Sequence, residues 1–185
     1  MAISIYQQCP TIETENFTFR LVMLEDAEDL LACYSNPQAQ AFFNVDNFPH
    51  DCNFNTIDEM EHYIKFWLAE YSREAYVRFS IISKQSQKAV GTIEMFGMVG
   101  AYKTDPGILR IDIAPDFECQ VYLAEILEMC VENFYDMFQV NTIATKAVPQ
   151  ATDRVEALYG AGFSATDYNG REHYYGREET KVVAN

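Results

Sequence analysis

Asp112 is the residue whose type and position most need a chemical explanation. It lies in the apolar run 108–114, on the face opposite the apolar side chains if this run is a strand. A carboxylate inside a central strand is unfavourable unless it is paired. One explanation is an ion pair with a neighbour such as Arg110 or Lys146. The alternative is a functional carboxylate that accepts a proton.

A second candidate region is the segment 38–55, which is rich in Phe, Asn and Asp and contains Pro49. We predict a short helical piece followed by a loop, and loops of this length often carry function. Its aromatic and ionisable side chains could line a pocket; they are Phe43, Asp46, Phe48 and His50. His50 is equally well explained as a solvated loop residue.

Several classes of chemistry find no support in the sequence. It contains no Ser/His/Asp set, no P-loop and no dinucleotide-binding fingerprint, so hydrolase, kinase and dehydrogenase functions are not indicated. The five cysteines include no C-x-x-C pair and no histidine at metal-ligand spacing. We therefore expect reduced thiols and no metal site.

Size and charge narrow the functional class further. The chain has 185 residues, which fits a single domain over 1–185, and a formal net charge of -15. That charge disfavours nucleic acid and anionic membranes as partners, whereas a cationic acceptor such as an amine would be attracted. The alternative explanation is that the acidity keeps the protein soluble and selects no substrate. Without a signal peptide or membrane span, we expect a cytoplasmic protein, and a homodimer stays open.

Periodicity predicts alternating secondary structure along most of the chain. Strands are predicted near 17–22, 76–82, 89–96, 108–114, 142–148, 163–168 and 172–177. Helices are predicted near 26–35, 56–72, 123–138 and 152–159, the second with a Thr56/Glu59 capping box. This order favours an α/β fold with a mixed, mostly antiparallel sheet of about six to seven strands and helices on both faces.

Four segments in this order resemble the GNAT acyltransferase superfamily over residues 14–177. They are FTFRLVMLEDAEDLLACYSNPQAQAFF, VRFSIISKQSQKAVGTIEMFG, ILRIDIAP and ALYGAGF. Within the superfamily, they are most similar to the branch that acetylates protein N-termini and small amines. The resemblance implies an acetyl-CoA-dependent N-acetyltransferase, with the acceptor amine contacted by Phe43, Asp46 and His50.

The resemblance also implies a cofactor site, formed by the strand at Ile111 and Ile113 and the start of the next helix. In the family, the pattern Pro-x-x-Arg/Gln-Gly-x-Gly holds the diphosphate on backbone amides. The aligned residues of this loop are Glu118, Cys119, Gln120, Val121, Tyr122 and Leu123. The basic position is thus Glu118, and the glycine positions are Cys119 and Val121. These departures predict weakened binding of acetyl-CoA.

Two catalytic roles follow from the same resemblance. The family's tyrosine acid aligns with Leu158, so Tyr159 is the candidate, displaced by one residue or about 100° around a helix. The branch's glutamate base aligns with Ile108, and Asp112 is the nearest ionisable replacement. Two hypotheses follow: an N-acetyltransferase with an atypical diphosphate loop, or a catalytically impaired domain that acts as a binding or regulatory module.

Overall fold

The fold is built on one sheet, seen in a computed structural model that describes residues 4–44, 46 and 54–180. The strands are β1 (Ile12–Glu13), β2 (Phe17–Leu21), β3 (Val77–Ser83), β4 (Lys88–Phe96), β5 (Gly107–Ile113), β6 (Thr142–Lys146), β7 (Ser164–Tyr168) and β8 (Arg171–Glu178). The α-helices are α1 (Ala27–Tyr34), α2 (Pro37–Gln40), α3 (Ile57–Ser72), α4 (Gln120–Phe138) and α5 (Thr152–Gly160). Short 3-10 helices, Leu24–Asp26 and Pro115–Phe117, precede α1 and α4.

The strands are ordered β1-β2-β3-β4-β5-β6-β8-β7, and every neighbouring pair is antiparallel except β5 and β6. The predicted mixed, mostly antiparallel sheet is therefore confirmed. The described residues form eight strands rather than six or seven. The additional strand is β1, whose two residues are too few to show a periodic pattern.

Helices cover both faces of the sheet. On one face, α4 and α5 pack against the apolar side chains of the central strands, for example Phe79 and Ile111. On the other face, α1 and α3 enclose a separate cluster that includes Leu30 and Trp67. Successive side chains of a strand point to opposite faces of the sheet. The Ile111 side chain therefore faces α4, whereas the side chains on either side of it in β5 face α1 and α3.

Local sequence signals fix the ends of the helices. The Thr56/Glu59 capping box is present at the start of α3, with the Thr56 hydroxyl 3.3 Å from the Glu59 amide. Gly162 follows α5 with a φ of 83°, which a residue with a side chain rarely adopts. Gly91 has a different role, because a Cβ atom there would collide with the Asp112 carbonyl of the neighbouring strand.

A gap opens between the parallel strands β5 and β6. Their pairing covers three residue pairs, from Gly107 with Ile143 to Leu109 with Thr145. Beyond Leu109, β5 continues to Ile113 while paired with β4 on its other side. Both α4 and α5 follow the carboxyl ends of these strands, which is where ligands bind in open α/β sheets. In the part of the chain described, no helix is long and apolar enough to cross a membrane.

Candidate active site

A cavity of about 1010 Å³ lies on the sheet face that carries α1 and α3. Its volume is at the upper end of the range for small-molecule sites. Six aromatic side chains line it: Tyr63, Phe66, Tyr76, Phe96, Tyr102 and Tyr174. Three carboxylates face the same space: Asp46, Glu70 and Glu94. An aromatic wall with interspersed carboxylates is suited to a cationic group.

A row of charged residues on three neighbouring strands, which we term the floor, includes Glu94 and Arg110, which line this cavity. Arg78 of β3 lies opposite Glu94 of β4, which lies opposite Arg110 of β5. Arg78 forms an ion pair with Glu94 and stacks 4.2 Å above the ring of Trp67. Because Glu94 lines the cavity and keeps 14% of its side chain exposed, it is a carboxylate that a ligand can reach.

Asp112 lies beneath this floor and is fully buried. Its carboxylate is 2.8 Å from Arg110 Nε, 3.4 Å from Arg78 Nη1 and 2.8 Å from the Tyr34 hydroxyl that donates to it. Burial, followed by the Asp112 charge, raises the pKa of Tyr34 well above its ordinary value, so this hydroxyl stays protonated. The ion pair with Arg110 that the sequence indicated is present, and Lys146 pairs elsewhere.

The other predicted pocket residues come before α3 in the sequence. Phe43 is buried and packs against Tyr34 at a ring distance of 5.1 Å, so it supports the floor rather than lining the cavity. Asp46 does line the cavity and lies 2.7 Å from Lys146 Nζ and 3.2 Å from the Tyr174 hydroxyl. Partial burial acts to raise the pKa of Asp46, but Lys146 outweighs it and lowers that pKa. Phe48 and His50 lie outside the described residues.

The segment that leads into α4 has a conformation that needs no glycine. Glu118 and Cys119 have φ values of -78° and -128°, and residues 118–123 are absent from the set with positive φ. Cys119 is the N-cap of α4, and within the described ranges its side chain makes no cap hydrogen bond. The first amides of this 19-residue helix thus remain suited to an anion.

The side chains of this segment divide between solvent and core. Val121 is 72% exposed, whereas Leu123 is fully buried in the core under the sheet. Tyr122 packs edge-on against Phe17 at a ring distance of 5.4 Å. Ile111 and Ile113 belong to the same core as Leu123. A cofactor could therefore contact these residues only at their backbone atoms or at the exposed side chains in the first turn of α4.

An ion pair spans the gap between β5 and β6. Arg154 of α5 donates to both carboxylate oxygens of Glu118, at 2.7 Å from Nε and 2.6 Å from Nη2. Arg154 Nη1 also donates to the Ile111 carbonyl at 2.9 Å, beyond the point where β5 and β6 separate. Both charged side chains are buried, at 5% and 7% exposure. The charge of Glu118 is thus neutralised within the protein.

Comparison with known proteins places this arrangement in a family. Residues 16–164 match the sequence profile of the family described as Acetyltransferase (GNAT) domain. The chain belongs to the GNAT acetyltransferase family. It is accordingly an acyltransferase, and acetyl-CoA is the cosubstrate that GNAT enzymes use.

Individual relatives are distant but match nearly full length. The chain is 23% identical over 154 residues to an uncharacterized N-acetyltransferase, p20, of Bacillus licheniformis, covering 83% of this chain and 82% of the relative. A GNAT acetyltransferase structure from Bacillus anthracis is similar with a TM-score of 0.69 and 14% identity, covering 92% of this chain and 99% of that one.

A third similar structure is the spermidine N-acetyltransferase from Vibrio cholerae in complex with CoA and spermine. It has a TM-score of 0.67 and 14% identity, and covers 90% of this chain and 97% of that one. At such identities, these two structures support the fold alone.

The candidate GNAT acid, Tyr159, lies on the exposed side of α5. On α5, Leu158 is buried in the core, while Tyr159 is 55% exposed and packs against Tyr175 of β8 at a ring distance of 5.7 Å. Burial, followed by the neighbouring Tyr159, raises the pKa of Tyr175. The one-residue displacement noted in the sequence is therefore a real difference in direction, and the acid role of Tyr159 stays a prediction.

Two residues of this GNAT site escaped sequence reasoning. Glu94 could have been found from the alternation of its strand, which places it on the same face as Thr92 and opposite Arg78. Arg154 carried no local signal, because its partner Glu118 is 36 positions earlier and only the tertiary fold joins them. Among the described residues, no group of three or more His, Cys, Asp or Glu side chains could hold a metal ion.

Proposed function

We propose that this GNAT protein transfers an acetyl group from acetyl-CoA to a primary amine, on a small molecule or at a protein N-terminus, bound in the aromatic and acidic cavity. The observation that carries this proposal is the cavity itself, which extends to Ile108 and Arg110 of β5, the strand that borders the gap. We keep the cytosolic location expected from the sequence as part of the proposal.

The chemistry of the cavity supports an amine acceptor. A protonated amine gains cation–π contacts with aromatic faces and ion pairs with carboxylates in a site shielded from water. The net charge of -15 also attracts a cation over longer range. The similar fold of a spermidine N-acetyltransferase is consistent with this class of acceptor. Binding alone is not enough, because the ammonium must lose a proton before it can react.

Glu94 is the residue that we assign to this proton transfer. Its carboxylate lies at the cavity floor and is reachable from the ligand side, while Arg78 fixes its position. Asp112 is enclosed by Arg78, Arg110 and Tyr34, so we assign it to positioning these groups instead. Acetyl-CoA supplies the activated acetyl thioester. The protein would bind the amine, remove its proton at Glu94 and exclude water through its aromatic wall.

The test is an acetylation assay with acetyl-CoA and a panel of primary amines that includes polyamines and peptide N-termini. Glu94→Gln keeps the shape of the side chain but removes the base, so we expect kcat to fall by about 10²–10⁴ with a smaller change in KM. The matched control is Glu61→Gln, an exposed carboxylate of α3. If Glu94→Gln keeps the kcat of the parent, the base is a different residue. If the parent forms no product from any amine, the proposed function is wrong.

One observation favours the second hypothesis, a catalytically impaired domain with a binding or regulatory role. Arg154 and Glu118 lie across the gap between β5 and β6, where the family resemblance puts the cofactor strand and loop. Acetyl-CoA thus fits the uncapped start of α4 but not the gap in this arrangement. Direct measurement of acetyl-CoA binding separates the two hypotheses before any acceptor is known.

A further inference from the structure

We propose that Arg154 and Glu118 form a latch that determines the affinity of this protein for acetyl-CoA. When the ion pair is closed, the gap beside Ile111 is filled; acetyl-CoA binds fully only when the pair opens. The inference rests on the proposed function in one respect, namely that acetyl-CoA is the ligand of the gap.

The Arg154 guanidinium lies where several parts of the fold meet. It approaches three separate parts of the fold: the Glu118 carboxylate before α4, the Ile111 carbonyl of β5 and, at 3.5 Å, the Phe42 carbonyl after α2. These groups come from both faces and from the middle of the sheet. A side chain that contacts all of them must extend through the gap, so no second group can occupy the same space.

The hydrogen bonding of β5 also involves Arg154. Past Leu109, no strand formed by the described residues is registered with the side of β5 that faces β6, and buried carbonyls require a donor. Arg154 Nη1 supplies that donor to the Ile111 carbonyl. A ligand that used this backbone position would have to replace Arg154 there. The latch therefore competes for the polar group that an extended ligand in the gap would need.

The paired charges of Glu118 and Arg154 cancel, so the closed latch does not by itself repel or attract a diphosphate at the start of α4. If Arg154 were lost alone, Glu118 would keep a negative charge one residue before the α4 N-cap. Loss of both residues would leave the net charge of the site unchanged while emptying the gap. Comparing the single and the double variant therefore separates the effect of filling the gap from the effect of the Glu118 charge.

The experiment measures acetyl-CoA binding by isothermal titration calorimetry. Glu118→Ala/Arg154→Ala is expected to bind about tenfold or more tightly than the parent, because an open state populated at a tenth lowers the apparent affinity tenfold. Arg154→Ala alone should bind more weakly than the double variant. The matched control, Arg20→Ala/Asp26→Ala, removes another two-bond ion pair with a buried carboxylate, outside the gap, and should bind like the parent.

Thermal unfolding checks that each variant is folded. If the double variant does not fold, Glu118→Gln keeps the side-chain volume while removing the charge that holds Arg154, and about threefold tighter binding is expected. Unchanged or weaker binding by a folded Glu118→Ala/Arg154→Ala or Glu118→Gln overturns the latch. If Arg154→Ala and the double variant bind acetyl-CoA with equal affinity, Glu118 is not part of the latch.

The outcome also separates this inference from the proposed function. A double variant that binds acetyl-CoA more tightly, together with a parent that acetylates no amine, would support the latch and overturn the proposed function. A parent that acetylates amines, with an affinity for acetyl-CoA that the double variant does not change, would support the function and overturn the latch.

Discussion

The two sides of the β5–β6 gap satisfy their buried charges in different ways. On the α1 and α3 side, the ion pairs of Arg78 and Arg110 lie within the sheet and leave a cavity above them. On the α4 and α5 side, the ion pair of Arg154 and Glu118 lies across the opening itself. Both arrangements neutralise charge, but only the first leaves space for a ligand.

If the proposed function and the latch hold, the amine binds a preformed cavity, whereas acetyl-CoA binds a gap that has to open first. A preformed site binds without a conformational cost, whereas a site closed by its own residues binds with its intrinsic affinity reduced by the open fraction. The difference also bears on specificity, because a ligand that cannot displace Arg154 is rejected even if the α4 amides suit its phosphates. Three further predictions test whether the cavity is preformed and whether the ion pair of Arg154 and Glu118, rather than the backbone of α4, limits binding on the other side.

The largest expected effect concerns the floor of the cavity. Asp112→Ala leaves Arg78 and Arg110 without their shared buried carboxylate, so we expect the free energy of unfolding to fall by about 3–5 kcal/mol. Urea unfolding measures this loss, and Asp136→Ala, on the exposed face of α4, is the control. A loss below about 1 kcal/mol would mean that the floor does not depend on Asp112.

Much of the fold could be predicted because the responsible signals are local. The apolar stripe of α4 and the Thr56/Glu59 capping box each act within one or two helical turns. Strand boundaries were predicted to within about two residues for the same reason. β1 escaped prediction because its two residues are held by pairing with β2, which is a tertiary contact.

The candidate site could be predicted only in part because its decisive contacts are distant in sequence. Asp112 was identified as a residue in need of a partner, and Arg110 is that partner. The weakened acetyl-CoA binding expected from Glu118 does not take account of Arg154, whose position depends on the separation of β5 and β6. The glycine requirement at Val121 likewise assumed a backbone conformation that α4 does not adopt.

An intermediate effect is expected at Val121, the exposed residue in the first turn of α4. If the missing glycines limited the cofactor side, Val121→Gly would tighten acetyl-CoA binding. We expect instead no change in Kd and a loss of stability of up to about 1 kcal/mol, because glycine is a poor helix former and this position has helical φ. Calorimetry and urea unfolding measure the two quantities, with Val121→Ala as the control. Tighter binding by the glycine variant would show that backbone conformation, and not the latch, limits this side.

The smallest effect is expected at Asp46, on the acceptor side. Lys146 holds the pKa of Asp46 below its ordinary value of 3.8, so the pair stabilises the fold at pH values above that range. This contribution is lost as the pH falls through the lowered pKa of the folded state. The side chains are 19% and 23% exposed, so the pair contributes about 0.2–1 kcal/mol.

Asp46→Asn should therefore lower the unfolding free energy at pH 7 by that amount and leave it nearly unchanged at pH 2, relative to the parent at each pH. Because Asp46 also lines the cavity, the same variant should raise KM for a cationic amine while the Kd for acetyl-CoA stays constant. Asp136→Asn, at an exposed position of α4, controls for the loss of one negative charge. A change in acetyl-CoA affinity in Asp46→Asn alone would couple the two sides, and the contrast between an open acceptor cavity and a latched cofactor gap would then have to be replaced by a single cooperative site.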